Sequence, residues 1–179
     1  RAVANYEQAL AASPGNPEIR HGLARAYIGQ GRYLEAAEHA KVAFAQRTQD
    51  PAYADTVAEA LLGAQRHDEM FRFLRQNTSE YNRVSDWVRL GTFARRAGDY
   101  DTAQTALVTA ARVDRGQTPE PQLALCDLYS ALGQSDKAME RLRMAYFTSP
   151  MNSQVRTRLA QAGITPVGNW GVPPPERSQ

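Results

Sequence analysis

A large apolar residue followed directly by a small one recurs four times along the chain, as Leu23-Ala24, Val57-Ala58, Leu90-Gly91 and Leu125-Cys126. Three residues beyond each small residue lies a further packing position, filled by Tyr27, Leu61, Ala94 and Tyr129 in turn. Packing positions that recur every three to four residues mark one face of an α-helix. After each run comes a turn residue and then a second run with its own small packing residue. The sets are Gly31, Tyr33 and Ala36; Gly98, Tyr100 and Ala103; and Gly133, Ser135 and Ala138. Gln65, His67 and Met70 fill the same places in a degenerate copy. The pattern predicts pairs of helices joined by tight turns, and no pair of this kind can bury its own apolar face without a neighbour.

The copies open near Pro17, Pro51, Val84 and Pro119, with a last one near Ser153, a spacing of roughly 34 residues. Glycine at the turns suits a left-handed residue that satisfies stray carbonyls. Proline at Pro17, Pro51 and Pro119 suits a first helical turn, where its missing N–H costs nothing, and Ser13 and Asp50 are placed as N-terminal caps. Two departures stand out. The second copy lacks its turn glycine, and its second helix is expected to stop near Gln76, before the polar stretch Asn77-Thr-Ser-Glu-Tyr-Asn82. A shorter helix or looser joint is expected there.

At this period, and with Trp87-Val-Arg-Leu90-Gly91 opening one copy, the chain resembles the tetratricopeptide family up to about Gly163. Ala2, Tyr6, Ala9 and Pro14 match the closing half of that motif, as do Ala138, Leu142, Ala145 and Pro150. The resemblance implies an all-α fold, a right-handed α-solenoid of stacked antiparallel helix pairs. The expected division is residues 1–16 as the second helix of an incomplete repeat, then repeats at 17–50, 51–83 (degenerate), 84–118 and 119–152. A capping helix follows at 153–163, and an extended or disordered proline-rich tail at 164–179. The chain starts at Arg1, already inside a helical pattern, and reads as a fragment.

Composition narrows the chemistry. Of 179 residues 42% are hydrophobic, with 21 basic and 19 acidic side chains, a net charge of +2. No basic stripe stands out, which argues against a nucleic-acid partner, and no run of about eighteen apolar residues predicts membrane insertion. Cys126 is the single cysteine, so neither an intramolecular disulfide nor a cysteine-based zinc site is available. It fills a small-residue slot and reads as packing rather than as a nucleophile. The cysteine usage fits a reducing compartment, and a cytoplasmic location is favoured over a periplasmic one. His21, His39 and His67 fall in separate elements and predict no metal site. There is no phosphate-binding loop and no zinc-protease signature. Asp68-Glu69 read as acids placed at a helix start. Asn77-Thr-Ser has the form of a glycosylation acceptor, a pattern common by chance. No cofactor, metal or catalytic residue is expected, and the chain is not read as an enzyme.

The resemblance places ligands along the first helix of each pair. It implies a peptide or partner-protein groove offering Glu18, His21, Arg25 and Ile28 in the first repeat, and Asp55, Glu59 and Leu62 in the second. The third contributes Arg89, Thr92, Arg95 and Arg96, and the fourth Glu120, Leu123, Asp127 and Ser130. Acidic and basic patches should alternate. Some relatives clamp a C-terminal carboxylate; the matching places here hold His21, Arg25, Thr56, Ser85 and Arg89, without the family's asparagines and most of its lysines. The expected function is a scaffold or adaptor that binds another protein or an extended peptide. A regulatory or substrate-docking segment of a larger enzyme, such as a bacterial glycosyltransferase or protease complex, stays open as the alternative. So does homo-oligomerisation through the convex face. The tail is expected either to be disordered or, with Trp170 as its anchor, to pack on the array's C-terminal end or self-associate by occupying a neighbour's groove.

Overall fold

The computed structural model describes residues 2–178. Among them are ten α-helices, one 3-10 turn and no strand. The helices are α1 (Ala2–Ala12), α2 (Pro17–Ile28), α3 (Tyr33–Gln46), α4 (Pro51–Gly63), α5 (His67–Tyr81), α6 (Val84–Arg96), α7 (Tyr100–Asp114), α8 (Glu120–Ala131), α9 (Ser135–Thr148) and α10 (Ser153–Gln161). Pro175–Ser178 form the 3-10 turn. The all-α class of stacked helix pairs expected from the repeats is the class observed. The chain divides into two compact units, residues 1–77 and 78–179, with the boundary inside α5.

In the first unit α2 packs on α1, α3 and α4, and α3 packs on α4. In the second, α8 packs on α6, α7 and α9, while α10 lies on α9. Each pairing uses the recurrent small residues. Leu23-Ala24, Val57-Ala58, Leu90-Gly91 and Leu125-Cys126 are all buried, as are Ala36, Met70, Ala103 and Ala138 opposite them. Gly91 shows why the slot must be small. A Cβ there would lie 2.4 Å from the Leu107 side chain, so only glycine lets α6 and α7 approach this closely.

The turns follow the sequence pattern, including where it is degenerate. Gly31, Gly98 and Gly133 have φ of +73°, +84° and +70°. Gln65, in the glycine place of the second copy, also takes a left-handed φ of +58°, so the turn geometry is kept at the strain of a non-glycine residue. Asp50 caps α4 by accepting from the Ala52 amide. Ser13 is not the cap of α2. Asn16 is, accepting from the Glu18 and Ile19 amides immediately before Pro17. Pro119 sits just before α8 rather than within its first turn, and Pro121 takes that place.

The expected stop near Gln76 is corrected. Helix α5 runs to Tyr81 and ends at Asn82, whose φ is +49°. Met70, Leu74, Asn77 and Thr78 are all buried, at the i, i+4, i+7 and i+8 spacing of one helical face. The polar pair thus continues the inner stripe, and polarity at that point does not signal a break. Burial of Asn77 also removes it as a glycosylation acceptor in the folded chain.

Candidate functional site

The first helices of neighbouring repeats lie side by side within each unit, α2 with α4 and α6 with α8. On the α2–α4 side, the His21 ring stacks on Tyr53, with centroids 4.1 Å apart. His21 Nε2 is also 2.8 Å from Thr56 Oγ1. The Thr56 hydroxyl spends its proton on the Ala52 carbonyl, so His21 donates through Nε2–H and Thr56 accepts. Burial lowers the His21 pKa below the ordinary 6.5, and the neighbouring Arg25 guanidinium lowers it further. His21 and Thr56, both in carboxylate-clamp places, are therefore bonded to one another across the seam.

Around this seam Arg25 and Asp55 are exposed, and Ile28, Glu59 and Leu62 are half-buried. Glu18 is held by Arg47 at 3.1 Å. The first unit thus brings a basic residue and two acids to one paired-helix face.

The second unit distributes its candidates differently. Arg89 is 5% exposed, and its guanidinium donates to Asp86, a carboxylate also bound by Arg83. It is built into a buried ion pair. Arg95 and Thr92 are half-buried, and Arg96 is exposed with its guanidinium 4.9 Å from the Phe93 ring centre. Leu123 is buried in the core, while Glu120 and Ser130 are exposed. Asp127 accepts two hydrogen bonds from Arg158 of α10, at 2.9 and 2.6 Å. This fork-to-fork pair ties the last helix to α8.

Beside that pair, α8, α9 and α10 enclose a cleft of about 470 Å³. Cys126, Ala138, Met139 and Leu142 line it, with Asp127 and Arg158 among its polar residues. Burial raises the Cys126 thiol pKa, and the Asp127 carboxylate raises it further, which fits the packing role and opposes thiolate chemistry. The cleft was not legible in the sequence. Its signal is the length of α10, nine residues where the other first helices have twelve or thirteen. Among the described residues no group of three or more potential ligands could hold a metal ion. No described helix is long and apolar enough to cross a membrane.

The left-handed glycine turns, the small-residue slots and the adjacency of alternate helices are the features that the sequence motif encodes, and residues 1–69 match the description "Tetratricopeptide repeat". Residues 1–69 are tetratricopeptide repeats. The fold of the chain is that of tetratricopeptide proteins of known structure. A thermophilic tetratricopeptide protein of Thermus thermophilus superposes with a TM-score of 0.66 at 24% identity, covering 89% of this chain and 88% of that one. PilW, described as a widely conserved type IV pilus biogenesis factor, gives 0.61 at 16% identity over 86% and 72%. YrrB, a tetratricopeptide protein with an unusual peptide-binding site, gives 0.55 at 16% identity over 88% and 81%. No curated protein matches the chain in sequence.

Proposed function

We propose that this tetratricopeptide chain is a protein-interaction scaffold or adaptor that binds an extended peptide or partner protein on the first helices of its repeats. It acts as a binding module and not as an enzyme. The α2–α4 face carries the reading. The His21–Tyr53–Thr56 seam fixes two first helices side by side, with Arg25 and Asp55 exposed along it. A pre-formed face of this kind loses little entropy when a ligand docks. Arg25 can pair with a carboxylate, and the acids Asp55 and Glu59 with a basic side chain. Arg25, Asp55 and Glu59 are the residues assigned to binding in the first unit, and Thr92, Arg95 and Arg96 in the second. Glu18, His21 and Asp127, engaged by Arg47, Thr56 and Arg158, are assigned as positioning residues. So is Arg89, through its bond to Asp86. YrrB, with its peptide-binding site, supports the class of ligand.

Site-specific photo-crosslinking in the native host tests this. A photoreactive residue at Arg25 or Asp55 should trap a partner protein, whereas one at Leu34 or Gln104 on second helices should not. Adducts confined to the second-helix positions would overturn the reading.

A further inference from the structure

Residues 170–177 do not trail into solvent; they lie along α9 and the turn before α8. The Trp170 carbonyl accepts from Arg143 Nε at 2.8 Å, and the Val172 amide donates to the Arg143 carbonyl at 3.3 Å. The Trp170 ring meets Tyr146 edge-on, centroids 5.4 Å apart. Gly171 passes so close that a Cβ would sit 3.0 Å from the Phe147 Cα. Pro174 and Glu176 are buried. The Glu176 carboxylate accepts from Arg141 at 3.0 Å and from Gln122 at 3.3 Å. Arg177 donates to the Gly116 carbonyl at 2.8 Å and lies over the Phe147 ring. Gly116 has φ of +63°, and a Cβ there would lie 2.9 Å from both Pro174 and Arg177.

This is how a recognition site holds a peptide. Backbone bonds set the register, an aromatic residue marks one end, and a clamped carboxylate marks the other. Proline keeps the intervening residues extended before docking, which lowers the entropic cost. The place on the fold is also informative. Arg143 and Tyr146 correspond, through the alignment of Ala138 with Ala36, to Lys41 and Phe44 of α3. There the next second helix, α5, covers both: Glu69 pairs with Lys41, and Phe73 meets Phe44 edge-on. Among the described residues no further second helix covers α9, and Trp170 supplies both the acceptor and the ring.

We propose that Arg141, Gln122, Arg143, Tyr146, Phe147 and Gly116 form a second peptide-recognition site, which the chain fills with its own tail. Its ligand class is a proline-rich segment, extended from an aromatic residue at one end and closing, about six residues on, in a 3-10 turn whose carboxylate is buried against Arg141. The site lies on the second-helix side of its unit and does not depend on the first-helix reading.

The test nicks the tail after folding. A specific protease site is placed around the exposed Val167 of the full chain, in a Trp87→Phe background that leaves Trp170 as the single tryptophan. After cleavage, helical circular dichroism should be unchanged. The released segment should stay bound, with blue-shifted Trp170 emission, and come off on dilution to a new equilibrium. A synthetic peptide of residues 169–179 should rebind the nicked chain saturably. Arg141→Ala in the chain, or Glu176→Gln in the peptide, should each weaken binding by about tenfold or more. The two changes together should be no worse than the stronger one, because they remove the same contact. The site is overturned as a recognition site if the segment leaves at once and the peptide fails to rebind at about 1 mM. Loss of helix on release would equally overturn it, by making the tail a structural staple. Equal binding by a scrambled peptide would show adhesion without recognition.

Discussion

Helix α3 in the first unit and helix α9 in the second present equivalent outer residues, yet they are covered in unlike ways. Over α3 lies another helix, whose Met70 and Leu74 are buried and whose Glu69 and Phe73 meet Lys41 and Phe44. Over α9 lies a segment, extended up to Pro174 and closed by the 3-10 turn Pro175–Ser178, that uses backbone bonds, one tryptophan and one clamped carboxylate. A helix satisfies its own backbone and so can cover a neighbour with apolar side chains alone. A segment that is extended up to Pro174 and closes in a short 3-10 turn, with the Arg177 amide bonded to the Pro174 carbonyl, must find partners at its other anchoring points. The helical cover is therefore part of the core, and the extended cover behaves as a bound ligand.

The largest effects should come from the helical side. Leu74→Ala on α5 removes a fully buried side chain, and should cost about 2–5 kcal/mol in denaturant unfolding. Leu90→Ala, at the repeat position of α6, should cost a similar amount, and an unchanged melting temperature there would contradict the register of the repeats. On the extended side the cost has a ceiling. Arg141→Ala strands the Glu176 carboxylate, but the tail can leave and hydrate it, so the expected loss is below about 2 kcal/mol. The accompanying sign should be a red shift and easier acrylamide quenching of Trp170. A loss as large as that of Leu74→Ala would mean that the tail is core after all.

Lys41→Met probes the polar part of the helical cover. The pair with Glu69 is partly exposed, so the change should cost no more than about 1 kcal/mol. The hydrogen bond from Lys41 holds the Glu69 carboxyl below its ordinary 4.5. Its contribution is present above pH 4.5 and is lost as pH falls through the lower folded value. Lys41→Met should flatten that acid slope, and an unaltered slope would remove the pair from the account. The smallest effect expected is at the first-helix seam. His21 is held neutral by burial, with a folded pKa below 6.5, so the unfolded chain takes up its proton first. Stability from this group is intact above pH 6.5 and declines as pH falls from there through the folded value. In pH-dependent unfolding, His21→Gln should reduce the slope just below pH 6.5.

The sequence by itself determined the helix pairs, their turns and their packing slots. These are set by local chemistry repeated in register: a small residue wherever two axes approach, and a left-handed residue wherever a first helix ends. Even Gln65 kept the turn, because the residues on either side of it still specify one. Tertiary structure alone decided the features that depend on what lies opposite. Asn77 and Thr78 read as a break, but their place on the inner face of α5 makes them its continuation. Asp127 read as a groove charge, but Arg158 stands within reach of it, 31 positions along the chain, a pairing that no spacing announces. Asp86 lies one helical turn before Arg89, and what the stacking alone decided is that this i,i+3 pair is buried and not exposed. The tail carried composition without periodicity, and composition predicts only that a segment is extended. Which surface receives it was fixed by the outer face of α9, left without a helical cover among the described residues, a face that exists only once the repeats have stacked.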